Sequence, residues 1–151
     1  HYSEGNKEIH MIKTFRGKLV DGGQDTIRLS TNNGLTGYRI VKFQAIGTEP
    51  GQQHQEHVLK LYKYKQTTID NAVDFTNQNL LGVVYIGDNA DQGYPFFTTI
   101  IFDGETFNQD IYITHEDTVS SLSCNYYIEL EQVKLDLGEA AVATLKDMRG
   151  A

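Results

Sequence analysis

From residue 11 onward, short runs of aliphatic, aromatic and β-branched residues recur about every ten positions, separated by clusters of Gly, Asn and Asp. The runs are MIKTFRGKLV (11–20), TIRLS (26–30), GYRIVKFQAI (37–46), HVLKLYKYK (57–65), LLGVVYIG (80–87), FFTTIIF (96–102), DIYITH (110–115) and SCNYYIELEQVKL (123–135). No long helical pattern lies between them, so the parallel crossovers of a βαβ fold have no candidate sequence. The pattern predicts an all-β fold, an antiparallel β-sandwich of jelly-roll-like type.

Local chemistry refines that outline. In 57–65, Leu59 and Leu61 fall on one strand face and Lys60 on the other. LLGVVYIG is apolar on both faces and reads as a buried strand. Asn33-Gly34 can supply the two positive-φ residues of a type I′ hairpin. In the last run Cys124, Tyr126, Ile128 and Leu130 share a face, whereas Val133 and Leu135 carry the apolar phase on odd numbers; this predicts a β-bulge near Gln132. Residues 66–78 read as a loop with room for one helical turn, from the spacing of Ile69, Ala72, Val73 and Thr76. GEAAVATLKDMRG (138–150) favours a short C-terminal helix that must dock to be stable, with Gly150 as its stop. Residues 1–10 read as an extended polar arm ordered against a neighbour, and 11–151 as a single β-sandwich domain.

Bulk properties narrow the functional classes. A chain of 151 residues can bury a core without help from disulfides or metals. Its formal charge of −7 disfavours a polyphosphate partner, so no direct nucleic-acid binding is expected. With one cysteine there is no intrachain disulfide, and no apolar run reaches the roughly 20 residues of a bilayer span. HYSEGNKEIH carries no secretory apolar stretch. The expectation is a soluble protein with no membrane partner.

Several groupings invite a chemical reading. A thiol nucleophile needs a nearby base, and His115 stands on the strand preceding that of Cys124. The competing reading is a small buried filler, favoured because Cys124 shares a face with Tyr126, Ile128 and Leu130. Ser120, Ser121 and Ser123 with His115 and Asp117 supply triad residue types, but no G-x-S-x-G elbow surrounds them. His54 and His57 flank Glu56, yet positions three apart on an extended chain point to opposite faces. DNADQG (88–93) approaches a calcium-loop pattern, but Ala90 replaces a ligand and Thr99 stands where a bidentate Glu is required. Glu129 and Glu131 pair on one strand face as glycosidase acids can, or simply form a solvated or intersubunit face. Both phosphate-binding glycine motifs are missing. Tyr62, Tyr64, Tyr85, Tyr94, Tyr112, Tyr126 and Tyr127 could stack on sugars, anchor an interface, or fill half-buried strand positions. No catalytic, cofactor-binding or metal residue is assigned, and no cofactor is called for.

MIKTFRG (11–17), IRLSTNNG (27–34), GYRIVKFQAI (37–46), FDGETFNQDIYITH (102–115), SCNYYIELEQVKL (123–135) and LKDMR (145–149) together resemble a small virion structural protein of marine tailed bacteriophages. The resemblance spans much of 11–149, excludes HYSEGNKEIH, and is one of overall texture with no diagnostic motif. It implies a non-enzymatic part of a phage particle, made in the host cytoplasm and residing in the virion. Its partners would be the major capsid protein, other virion proteins, or further copies in a symmetric homo-oligomer. Head decoration or cementing is the leading role, with tail or fibre attachment, or a carbohydrate-binding sandwich using exposed tyrosines, as alternatives.

Overall fold

The computed structural model describes residues 11–52, 54–88, 96–102 and 104–149. The N-terminal arm at 1–10, most of DNADQG, and Gly150 lie outside the described residues. Among the described residues eight strands and one helix follow in order: β1 (Met11–Leu19), β2 (Gln24–Ile27), β3 (Thr36–Gly47), β4 (Gln55–Tyr62), β5 (Leu80–Asp88), β6 (Phe96–Ile101), β7 (Ile111–Asp117), β8 (Cys124–Lys134) and α1 (Leu137–Arg149).

The strands form two antiparallel sheets, β1-β8-β3 and β2-β7-β4-β5-β6. The chain alternates between sheets over its first four strands, and pairings nest: β1 with β8, β2 with β7, β4 with β5. This is the wiring of a jelly roll, a long hairpin folded over on itself. In a fully wrapped version β3 would pair with β6. Here β6 hydrogen-bonds only to β5 among the described strands, and β3 and β6 lie as the edge strands of opposite sheets, β3 making one bridge beyond its sheet, between Tyr38 and Phe107. The all-β sandwich read from the sequence is therefore the observed architecture.

Period-2 alternation sets what enters the core. Leu59 and Leu61 on β4, Ile111 and Ile113 on β7, and Ile128 and Leu130 on β8 are fully buried between the sheets. Lys60 points the other way, as expected, but is also buried because the 66–79 segment covers it: its ammonium donates to Asp70 at 3.2 Å and to the Ala72 carbonyl. That segment contains tight turns and no helical turn, contrary to the sequence reading. Asp74 instead caps a turn by accepting from the Thr76 amide at 2.9 Å.

Two further readings are corrected. Asn33-Gly34 forms no type I′ hairpin: Gly34 alone of the pair has positive φ, 68°, and the loop carries the chain from β2 in one sheet to β3 in the other. The Asn33 side chain accepts from the Leu35 amide at 3.0 Å, an Asx arrangement that Asn favours equally well. The bulge lies on β3, at Val41, where Ile40 faces Leu130 and Lys42 faces Glu129; β8 runs without interruption through Gln132. Leu135 reaches its buried position after β8 has ended, packing with Leu35, Val133, Ala140 and Ala143 under α1.

The C-terminal helix starts with a capping box. Asp136 accepts from the Glu139 amide at 2.7 Å, and Glu139 accepts from the Asp136 amide at 3.0 Å. Asn108 then fastens the helix to the sandwich, donating to the Ala140 carbonyl and the Thr144 hydroxyl. β8 thus spans the molecule from Cys124 at one end to the helix at the other.

Candidate functional site

At the Cys124 end the two sheets enclose a polar cluster instead of apolar packing. The first sheet supplies Cys124 from β8 and Gly47 opposite it on β3. The second supplies Gln55 and His57 from β4, which continue the inward face of Leu59 and Leu61, and His115 from β7. His57, His115 and Cys124 are all fully buried, with one potential ligand atom from each lying within 4.8 Å of the others.

The hydrogen bonds form a chain. His115 Nδ1 lies 2.9 Å from the Val20 carbonyl oxygen, His57 Nδ1 lies 2.8 Å from His115 Nε2, and His57 Nε2 lies 2.8 Å from Gln55 Oε1. Gln55 orientation follows from its amide nitrogen, which donates to the carbonyls of Glu49 and Gln52. Both chain ends are therefore oxygens that only accept, and the network assigns a proton to His115 Nδ1 and another to His57 Nε2. A neutral imidazole has one N–H, so the two inner nitrogens face each other as lone pairs unless a positive centre sits between them. Burial, and after it the neighbouring His115, hold His57 below the ordinary imidazole value, with Asp117 and Asp21 acting in the opposite direction.

This geometry decides among the sequence candidates. His115 and Cys124 do come together, but burial, with Asp117 adding to it, pushes the thiol up to about 12, so it stays protonated and inert as a nucleophile. His54 is exposed with a φ of 64°, whereas His57 is buried; they share no site. Asp117 does not orient His115 as a triad acid would. Burial raises its carboxyl, and the amides of Leu122, Val119, Glu56 and Ser120 more than offset this, leaving it below the usual value as the organiser of the 118–122 loop. Ser120 donates to the His54 carbonyl.

Glu129 and Glu131 point away from the core on the outer face of β8. Glu131 pairs with Arg39 at 2.9 Å, and Glu129 accepts from Tyr127 at 2.6 Å with Lys42 at 3.8 Å. They are cross-strand ion pairs on a solvated face. The tyrosines named above that fall among the described residues are buried or half-buried, so the sugar-stacking platform of exposed tyrosines is not formed by them.

His57 and Gln55 were missed as partners of Cys124. The signal was present: Gln55, His57, Leu59 and Leu61 share one strand face by simple alternation.

A second feature lies at the open seam between β3 and β6. Ile46 and Phe97 stand there 56% and 54% exposed, beside a cavity of about 270 Å³ also lined by Ala45, Asn125 and Tyr127. A neighbouring cavity of about 280 Å³ continues past Ile46 and Phe97 to Pro50 and Ile86.

No protein-family model matches the chain, and no curated protein matches it. One solved structure that is similar comes from Desmodium yellow mottle tymovirus, with 10% identity, 85% of this chain and 90% of that one covered, and a TM-score of 0.34. Among the described residues no helix is long and apolar enough to cross a membrane.

Proposed function

We propose that this chain is a non-enzymatic virion structural protein of a tailed bacteriophage, a head decoration or cement protein that binds the shell or further copies of itself. The observation that carries the reading is the β3/β6 seam. The outermost strands of the two sheets meet there, beside the exposed apolar side chains Ile46, Phe96 and Phe97. Such an edge accepts an extended segment from a neighbour, with main-chain hydrogen bonds giving affinity and flanking pockets giving specificity. Further apolar surface is exposed by Met11 and Ile12 on the edge strand β1 and by Leu137, Val142, Leu145 and Met148 on α1. The buried thiol and the ion-paired outer glutamates fit an assembly part better than a catalyst.

Particle imaging tests the proposal. Many symmetric copies on the head, lost when Phe97→Glu and Ile46→Lys are combined, are the expected result. Copies confined to the tail would move the role to fibre attachment, and protein found only in infected-cell cytoplasm would exclude a virion role.

A further inference from the structure

The geometry points to a buried metal site: His57 Nδ1, His115 Nε2 and Cys124 Sγ together bind one thiophilic d10 cation, Cu(I), in a three-coordinate arrangement of two nitrogens and one sulfur.

Three observations carry this. First, the two inner nitrogens share a 2.8 Å gap while both outer nitrogens are committed as donors. At this separation a single shared proton bridges the two lone pairs, and with the nitrogens drawn apart the same lone pairs converge on one cation. Second, the outer bonds are those of a metal-bound imidazole pair, since a ligating His almost always donates its other N–H to a carbonyl or carboxylate. Here Gln55 Oε1 and the Val20 carbonyl take those roles, and Gln55 is itself fixed by two backbone carbonyls. Third, the packing around the cluster leaves no space for a larger residue at position 47. A Cβ on Gly47 would stand 2.5 Å from Gln55 Oε1 and 3.0 Å from His57 Nε2.

The fit requires modest motion. Metal–nitrogen bonds of about 2.0–2.1 Å in a trigonal plane put the two nitrogens about 3.5 Å apart, and a metal–sulfur bond of about 2.3 Å places Sγ about 3.8 Å from each. One potential ligand atom from each of His57, His115 and Cys124 already lies within 4.8 Å of the others, so side-chain movements of about 1 Å bring the three residues to bonding distance of one cation. Imidazole with thiolate suits copper and zinc. Binding replaces the thiol proton: Cu(I) and Cys–SH give Cys–S–Cu and a proton released to solvent, with no change of oxidation state. The resulting centre of one monovalent cation and one thiolate is neutral, which a buried location tolerates, and it needs no fourth ligand. Zinc would carry a net positive charge into the sandwich and prefers four ligands.

The test is anaerobic titration of the reduced full-length protein with Cu(I) against a chromophoric chelator, with Zn(II) in a parallel arm. One Cu(I) per chain is expected, with a rise in Tm and x-ray absorption showing one sulfur and two nitrogen neighbours. Cys124→Ala should weaken binding by more than about 100-fold, beyond the loss typical of an outer-shell change, while His54→Ala on the exposed loop leaves it unchanged. Equal affinity in Cys124→Ala and the parent overturns the proposal, as does a copper environment without sulfur in the parent protein, which needs no variant to fold. Zinc retained one to one while Cu(I) is not held also overturns it.

Discussion

The hydroxyl of Tyr126 on β8 donates to the Asp25 carboxylate on β2 at 2.8 Å, joining the two sheets across the core. Tyr126 is buried, and burial, reinforced by the Asp25 hydrogen bond and charge, holds its hydroxyl well above the ordinary phenol value. Because Asp25 is only half-buried, water can take over its lost bond. Tyr126→Phe is expected to cost about 1 kcal/mol, the net worth of an ordinary intramolecular hydrogen bond, in urea unfolding. A loss several times larger would mean that Asp25 is not rehydrated.

Gly17 on β1 makes room for that same ring. A Cβ there would fall 2.6 Å from the Tyr126 hydroxyl oxygen and 2.8 Å from Cζ. The ring tip can retreat only by releasing Asp25, so Gly17→Ala is expected to destabilise by about 1–3 kcal/mol through overpacking. Combined with Tyr126→Phe the two costs should be less than additive, because the bond that resists ring movement is already gone. Strict additivity in the double-mutant cycle would show that the two positions do not meet.

What the sequence disclosed follows the range of each interaction. The inward set Leu59 and Leu61, the buried face of Cys124 and Tyr126, and the helix beginning near Leu137 depend on alternation or local propensity, and all were legible. The Asn33-Gly34 hairpin failed because its short-range signal is compatible with two loops, and the pairing of β2 with β7, about ninety residues away, selects the other. The apolar phase of 123–135 changes at Gln132 and so points to a bulge there, yet β3 changes phase too, from Tyr38 and Ile40 to Phe43 and Ala45. Only the cross-strand register shows which strand carries the extra residue. The His57 cluster joins residues nearly seventy positions apart, so alternation could place each one inward but could not bring them together.

Lys60 offers a test of how a buried cation is held. Its ammonium is buried beneath the 66–79 segment, while its partner Asp70 is 52% exposed. Lys60→Met keeps the apolar stem and removes the charge, so stability should change by less than about 1 kcal/mol. Asp70→Ala should be worse, by about 1–2 kcal/mol, because the ammonium stays buried and keeps, among the described residues, the Ala72 carbonyl and the Tyr62 ring face as partners. Faster amide exchange at Ala72, whose N–H donates to Asp70, would accompany it. The opposite ranking of the two variants would mean that the pair contributes more than its desolvation costs.

Asp147 on α1 should make stability fall as the solution is made less acidic. Burial raises its carboxyl above the ordinary value, although Oδ2 accepts from the Asn108 amide at 3.2 Å; Oδ1 is buried without a hydrogen-bond partner among the described residues. As pH rises, the unfolded carboxyl loses its proton first, so at this site the folded state binds more protons and the contribution of Asp147 to the slope of stability with pH is negative. The contribution is present in full below the unfolded value near 3.8 and is lost as pH passes through the higher folded value. Asp147→Asn keeps an acceptor for the Asn108 amide and carries no titratable group. It is expected to raise Tm by a few degrees, roughly the effect of 1 kcal/mol in a chain of this size, at about pH 7, with the advantage shrinking toward about pH 4. Thermal unfolding of both proteins across that range checks the sign: a variant advantage that grows on acidification would mean the native carboxylate is stabilised, not penalised, by its surroundings.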